Sequence, residues 1–432
     1  MQRLPYLADP LPLLRALRPL GAPVLLRDSG PQPRDLLTAG PCLRLEAHGH
    51  ALRHRQDGSW QEALGDPFEA LDALFHRAAE APRGAAAEAQ TPRVFGLAGY
   101  DTGRDRPATP QGFPDLVAGL YDWLIRTDHD TRRSWLVTTP GRPVPAELRS
   151  ALAEMRPVQA CTPPTLRPEQ PRAAYGRAFE RVQAYLRAGD CYQVNLAVPF
   201  SGPFDGDPIE LFAALSARQP APFSGYLETA DSAVLSCSPE RLLRVTGRTI
   251  TASPIKGTRA RGADPAADAA ARAALSASEK DRAENLMIVD LLRNDLGRSC
   301  EPGSIDVPQL FAVESYAAVH HLVSTIRGRL AAGTSAVEAF AAAFPGGSIT
   351  GAPKRRAMEI IDELEPRERG PYCGSLFHGR GRDTLDASIT IRTLLAHDGR
   401  LSCWGGGAIV VDSYVDAEWD EIHAKVGSLI SG

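Results

Sequence analysis

Several places along this chain carry side chains that could do chemistry. Lys256 stands between Ile255 and Gly257 at the end of a β-rich, apolar run. A lysine kept from water there loses its proton more easily and becomes nucleophilic near neutral pH. An exposed lysine would read the same way in isolation. Glu284 lies one turn before Met287 and Ile288 on the same helical face, and Glu418-Trp419-Asp420-Glu421 puts two glutamates at i and i+3 on one helical face, close to Lys425. Carboxylates drawn from distant parts of a chain suit a hard cation such as Mg²⁺, which prefers oxygen ligands and bridges readily to an anion. Solvated surface acids are the plain alternative. His321, in His320-His321-Leu322-Val323-Ser324, is equally compatible with a structural place. The block Phe344–Lys354 (FPGGSITGAPK) delivers small residues and a hydroxyl to a helix N-terminus, where free N–H groups suit a carboxylate or phosphate. A tight turn would use the same glycines. Trp404-Gly405-Gly406-Gly407 allows close approach to the backbone, or a bulge.

The elements that must position these groups can be read from spacing. Leu242–Val245, the turn Thr246-Gly247-Arg248 and Thr249–Ile255 read as a hairpin. With Val245 opposite Thr249, Glu240 falls opposite Pro254 and Lys256 opposite Ser238. Glu240 and Lys256 are then diagonal neighbours on one sheet face, roughly 7–8 Å apart. Ser278 and Asp281 resemble a helix-opening capping pair, and Gly297 is a natural stop; Leu286–Leu292 between them is apolar around nearly the whole circumference, which predicts a buried helix. The spacing of Ala357, Ile360, Ile361 and Leu364 predicts a helix over Pro353–Glu365. Asp383–Leu395 alternates as a single strand, with Asp386, Ser388, Thr390 and Arg392 on one face.

Composition bounds what this machinery can serve. The 432 residues carry 48 basic and 52 acidic side chains, a net charge of −4, too mild for a nucleic-acid surface. No apolar run approaches a membrane span, and the N-terminus lacks the pattern of a signal peptide, so a cytoplasmic protein without membrane contact is expected. Seven cysteines with no C-x-x-C pair argue against a disulfide framework or a zinc site. Walker-type and G-x-G-x-x-G spacings are absent, leaving nucleotide binding without support. Five prolines in Pro157–Pro171 mark a seam. The expected organisation is an N-terminal region over 1–156, a Pro-rich linker over 157–174 and a catalytic region over 175–432.

Taken together and in order, PIKGTRARG (254–262), AENLMIVDLLRNDLGR (283–298), HLVSTIRG (321–328), GGSITGAPK (346–354), RGPYCGS (369–375), ASITIRT (387–393), GGGAIVVDS (405–413) and EWDE (418–421) resemble the chorismate-utilising enzymes. The match covers roughly Tyr175 to Gly432, with weaker likeness in Leu4-Pro5-Tyr6, Leu26–Ser29 and Phe95–Tyr100. Anthranilate synthases have alanine where this chain has Lys256, and isochorismate and salicylate synthases have a base lysine where it has Gln193. The pairing of Gln193 with Lys256 is similar to the aminodeoxychorismate synthase component I branch. The resemblance implies an α+β fold, antiparallel sheets packed as a sandwich with outer helices. It implies Mg²⁺ on Glu284 and Glu421 with Glu418 nearby, and the ring carboxylate at Thr350 and Gly351. Arg392, Lys425, Tyr372 and the backbone of Gly406 and Gly407 would hold the enolpyruvyl carboxylate. Lys256 would be the nucleophile, Glu240 the acid and His321 an assisting group. Ammonia would come from a separate glutaminase subunit, since no cysteine here sits in a G-x-C-x-G elbow. The chain departs from the usual pattern at VDSYVDAEWDE, which lacks a proline and has Trp419 for tyrosine, and at Phe377-His378. Anthranilate synthase component I, or a silent sensor binding chorismate or tryptophan, are the alternatives.

Overall fold

Short alternating apolar runs form the strands of this chain, which among the described residues gather into two antiparallel sheets of twelve strands each. The computed structural model describes residues 1–30, 32–56, 58–79, 91–104, 112–316 and 319–430. Both sheets mix strands from either side of the proline-rich stretch. In the first, Val24–Asp28 lies beside Phe223–Glu228; in the second, Val94–Ala98 lies beside Ser375–Arg380. Val24, Leu227 and Val234 of one sheet meet Phe95, Leu97, Val117 and Leu376 of the other in an apolar layer between them. Helices cover the outer faces. Arg172–Ala188, Pro208–Arg218 and the C-terminal helix bury Phe179, Phe212 and Ile422 against the first sheet. Pro67–Ala79 and Ala336–Ala343 bury Phe75 and Phe340 against the second. The expected α+β sandwich with outer helices is the fold observed.

The elements that build the site are labelled here in chain order. They are β1 (Gln193–Pro203), β2 (Arg241–Thr246), β3 (Thr249–Ala252), β4 (Ile255–Ala260), α1 (Glu279–Gly297), β5 (Val319–Arg329), α2 (Lys354–Leu364), β6 (Thr384–Ser388), β7 (Thr393–His397), β8 (Arg400–Ile409) and α3 (Val415–Ile430). Ser278 caps α1, its hydroxyl accepting from the Asp281 N–H, as its sequence anticipates.

Four local expectations need correction. Val245 pairs with Ile250, not Thr249, because the turn has two residues, Gly247-Arg248, with Gly247 at φ +60°. A glycine-first two-residue turn matches strand twist better than a three-residue loop. The hairpin also stops at Ala252; β4 leaves β2 and pairs with β5 instead. Helix α1 is not buried all round: Ile288, Val289 and Leu292 face the core while Leu286 is 45% exposed, since a helix laid on one sheet buries one stripe. Finally, the alternating stretch 383–395 is two strands. β6 belongs to the second sheet and β7 to the first, and the chain crosses between them at Ile389–Arg392, with Arg392 at φ +52°. Alternation alone cannot show such a crossing, because both strands keep the same period.

Candidate active site

The Lys256 side of the site is made by strand geometry. Pairing of β4 with β5 is regular at Ile255–Val323 and again at Thr258–His321, with a bulge at Lys256-Gly257 between them. Gly257 sits at φ +83°, and a Cβ there would press on Asp281 of α1 at 2.9 Å, so the helix that carries Glu284 packs directly against the bulge. The bulge swings Lys256 off the ladder. Across from it, Glu240 is 7% exposed. Burial raises its pKa, and the Lys256 charge, the Ser348 hydroxyl and the Ile255 N–H oppose that rise. The Ser348 hydroxyl donates to Glu240 Oε1 at 3.1 Å, joining the acid to the glycine-rich block. The sequence thus anticipated the Glu240–Lys256 neighbourhood through a hairpin register that is off by one.

His321 lies two strand positions further along. Its Nδ1 is 2.9 Å from the Thr258 hydroxyl and its ring meets Tyr316 edge-on. Burial, and then the Arg392 charge, lower its pKa to about 4, so the imidazole is neutral at neutral pH. Arg392 is itself half-buried at the crossing between the sheets, and burial lowers its pKa. Among the described residues no acid pairs with it, and a half-buried guanidinium of that kind is a ready partner for a ligand carboxylate.

The glycine-rich block does not run straight into a helix, as its sequence suggested. Gly347–Ile349 form a single 3₁₀ turn, Gly351-Ala352 pair as a two-residue strand with Val194 and Gln193, and α2 starts at Lys354. Thr350 is fully buried, its hydroxyl donating to the Gly346 carbonyl at 3.0 Å. Gly351 adopts φ +147°, and any side chain on it would collide with the Gln193 carbonyl. Only glycine fits there.

The three glycines of β8 do not form a bulge: pairing with β1 is regular from Val194–Ile409 to Pro203–Arg400. They permit close approach instead. A Cβ on Gly406 would stand 2.7 Å from the Tyr372 hydroxyl and 2.9 Å from Asn195 Oδ1, and one on Gly407 would stand 2.6 Å from Glu418 Oε2. Tyr372 stacks face to face on Trp404, ring centroids 5.9 Å apart. Lys425 on α3 donates to the Gly406 carbonyl at 2.9 Å and pairs with Glu421 at 2.7 Å. Glu418 accepts from the Ser413 hydroxyl at 2.7 Å. Burial, and then the Glu421 charge, raise its pKa against the pull of Ser413, Lys425 and Lys280. Lys280 also lies 3.9 Å from Glu284, so one ammonium serves acids of both α1 and α3.

The contacts thus bring the expected residues together in groups, Lys256 with Glu240 and His321 with Arg392 in one place, Gly406, Gly407, Tyr372, Lys425, Glu418 and Glu421 in another. Glu418 and Glu421 lie together, Glu284 reaches them through Lys280, and among the described residues no three ligating side chains converge as a metal cluster. The donors still suit Mg²⁺. They are carboxylate oxygens, Glu418 and Glu421 repel each other, and ammonium groups already occupy the positive places between the acids. Sequence reasoning missed Ser348, Thr258 and Asn195, whose small polar side chains carry no pattern of their own. It also missed Glu365 and Arg369, a buried ion pair at 2.6 Å that i, i+4 spacing of opposite charges could have flagged.

Comparison with known proteins identifies the family. A family model described as chorismate binding enzyme matches residues 22–431. Aminodeoxychorismate synthase component 1 of Klebsiella aerogenes is 43% identical over 92% of this chain and 89% of its own length. The protein of that name from Salmonella typhimurium is 46% identical over 78% of this chain and 76% of its own length. An anthranilate synthase component 1 of Haloarcula marismortui is 37% identical over 90% of this chain and 81% of its own length. The crystal structure of anthranilate synthase component I from Streptococcus pneumoniae TIGR4 has a TM-score of 0.80 at 26% identity, covering 93% of both chains. The chain belongs to the chorismate-binding enzymes, in the group that includes the aminodeoxychorismate and anthranilate synthase first components.

Proposed function

We propose that this chain aminates chorismate at C4, forming 4-amino-4-deoxychorismate as the first component of an aminodeoxychorismate synthase. The observation that carries this reading is Lys256 in a strand bulge with its charge acting on the buried Glu240. Lys256 passes its proton to Glu240, the amine so freed adds to ring C2, the double bond shifts, and the C4 hydroxyl leaves as water with that proton from Glu240. Glu240 suits this task because burial favours its protonated form. Ammonia then adds at C4, the double bond shifts back, and the C2–lysine bond breaks. The amine recovers its electron pair, and the proton lost by the ammonium returns to Glu240. His321, neutral and held by Thr258, stands by as a hydrogen-bonding group.

Binding falls to the other residues. Arg392 and Lys425 supply positive charge for the enolpyruvyl carboxylate, Tyr372 its hydroxyl, and Gly406 and Gly407 open backbone. Thr350 and Gly351 frame the ring carboxylate. Glu284, Glu418 and Glu421 would hold Mg²⁺, which when bound neutralises the ring carboxylate and draws electrons from the adjacent carbons. Ammonia is supplied by a separate glutaminase subunit, because none of the seven cysteines stands in a glutaminase elbow.

The test is product identification by mass spectrometry after incubating the purified chain with chorismate, MgCl₂ and an ammonium salt at alkaline pH. A product with the mass of 4-amino-4-deoxychorismate is expected, and none with glutamine as the only nitrogen source. Anthranilate as the product would overturn the assignment.

A further inference from the structure

Strand β1 carries a gap in its edge. On the side away from β8, the two-residue strand Gly351-Ala352 covers only Val194 and Gln193, and Arg167–Pro168 pairs only with Ser201 and Phe200. Between them, on that side, no strand among the described residues lies beside the buried backbone of Asn195 to Pro199. The Asn195 N–H reaches the Thr350 carbonyl at 2.8 Å and the Pro199 carbonyl accepts from the Glu169 N–H at 2.8 Å, which leaves the Asn195 carbonyl and the Ala197 N–H to find other partners. Unpaired buried backbone groups are costly, so something must stand in for the missing strand.

Two side chains do much of this. The Ala197 N–H donates to Glu365 Oε1 at 2.8 Å, and Arg369 Nη2 donates to the Asn195 carbonyl at 2.7 Å. Arg369 and Glu365 hold each other through Nε to Oε2 at 2.9 Å and Nη2 to Oε1 at 2.6 Å. The third arm of the guanidinium, Nη1, donates to the Ile349 carbonyl at 2.8 Å, one residue before Thr350. The Arg369 carbonyl accepts from the Tyr372 N–H at 3.1 Å, starting the turn that presents Tyr372 to Gly406. Arg369 is 1% exposed and lies over the Tyr100 ring, its carbon 4.6 Å from the centroid. One planar, always-charged fork thus meets the strand, the glycine-rich block and the tyrosine turn together. Lysine, with one point of charge, could not make that set of contacts.

We infer that Arg369 and Glu365 are a positioning pair that stands in for a missing strand at Asn195–Ala197 and, added to the direct backbone pairing of Thr350 and Gly351 with β1, fixes the Ile349 end of the glycine-rich block and the Tyr372 turn relative to that strand. Neither touches the reacting atoms. Their effect is on how well the ligand-holding groups are arranged before chorismate arrives. This rests on the proposed function only for its kinetic consequence.

Removing one partner would leave a buried charge unpaired and endanger folding. The informative variant is therefore the double variant Arg369→Met/Glu365→Met, which leaves no orphan charge; Glu365→Gln, which keeps an acceptor for Ala197 but takes the counter-charge from Arg369, is read beside it once its melting temperature shows that it folds. Three quantities are compared with wild type: amide hydrogen exchange at Asn195, Ala197 and Thr350 without ligand, the melting temperature, and KM against kcat for chorismate. Exchange at Ala197 should quicken in the double variant, and KM should rise roughly tenfold with kcat changed much less, as when ground-state binding groups are misplaced. Glu365→Gln should show the same pattern, weaker. Unchanged exchange and KM in the double variant would overturn the inference. So would a KM defect that vanishes on cooling the assay well below the variant's melting temperature, which would make the pair merely structural. If wild type leaves chorismate untouched, the proposed reaction fails, and the exchange measurement alone decides the pair.

Discussion

The two ends of the site are built in opposite ways. Around Lys256 the groups are enclosed and already engaged: Glu240 is 7% exposed and bonded to Ser348, and His321 is 6% exposed and bonded to Thr258. Around Glu418 the groups are more open and mutually strained. Glu421 and Lys425 pair near the surface, Lys280 is mostly exposed, and Glu284 is only partly covered. The first end is set by sheet pairing and a bulge, which fix a side chain through the backbone. The second depends on side chains of two helices, α1 and α3, that lie against different sheets. Chemistry that needs an altered proton affinity belongs where burial is complete; a cation that must enter and leave belongs where it is not.

The sharpest way to break this contrast is at Lys256. Lys256→Ala and Lys256→Arg should both lose product on the order of a thousandfold or more, since guanidinium stays protonated and cannot attack. Glu240→Gln should cost about 10²–10⁴-fold, the usual contribution of a positioned acid. Wild type given chorismate without ammonia should yield a mass adduct on the peptide that contains Lys256. Near-normal turnover by Lys256→Arg would reduce the lysine to a source of positive charge.

At the open end, Glu284→Ala or Glu421→Ala should remove most activity while leaving the far-ultraviolet dichroism spectrum intact. Added MgCl₂ should recover part of that loss. Full turnover in EDTA would defeat the metal assignment. A smaller effect is expected from Gly407→Ala, whose new Cβ would push on Glu418 Oε2 at 2.6 Å. Because the atom it meets is the end of a flexible side chain, stability should change by less than about 1 kcal/mol. The MgCl₂ concentration for half-maximal activity should rise several-fold. Activity titrations that overlay wild type would mean that Glu418 does not contribute to the cation.

The mildest test concerns protons. His321 has a folded pKa of about 4, lowered first by burial and then by Arg392, against roughly 6.5 in an unfolded chain. As pH falls from 6.5 towards 4 the unfolded chain binds a proton that the folded chain refuses, so His321 favours folding above pH 6.5 and that benefit fades in acid. Glu240, with its pKa raised by burial, works in the other direction, because its folded form keeps a proton longer as pH rises. The His321 share is therefore isolated by difference. Melting temperatures of His321→Gln and wild type should converge between pH 7 and pH 5. A gap that stays constant across that range would contradict a neutral, buried imidazole.

Much of this molecule was legible before any fold was known. The sandwich followed from a resemblance carried by ordered blocks, and the Ser278 cap of α1 and the apolar stripe of α2 from local spacing, because capping and helical period act within a few residues. The Glu240–Lys256 neighbourhood was also legible, since a hairpin turns the chain back near its own start even though its register was read one residue wrong and Lys256 lies on the next strand, past the hairpin's end. What the sequence could not decide lies between elements. The crossing at Ile389–Arg392 depends on which sheet each strand joins, and strands of either sheet share the same alternation. Whether the β8 glycines make a bulge or a close approach depends on Tyr372, Asn195 and Glu418, which arrive from three other segments. The pairing of Arg369 and Glu365 with the open edge of β1 could not be read at all, because nothing in a linear chain says which strand will lack a neighbour. Local propensity writes the elements; the long-range closure of the sheets decides which buried groups are left to be satisfied, and by what.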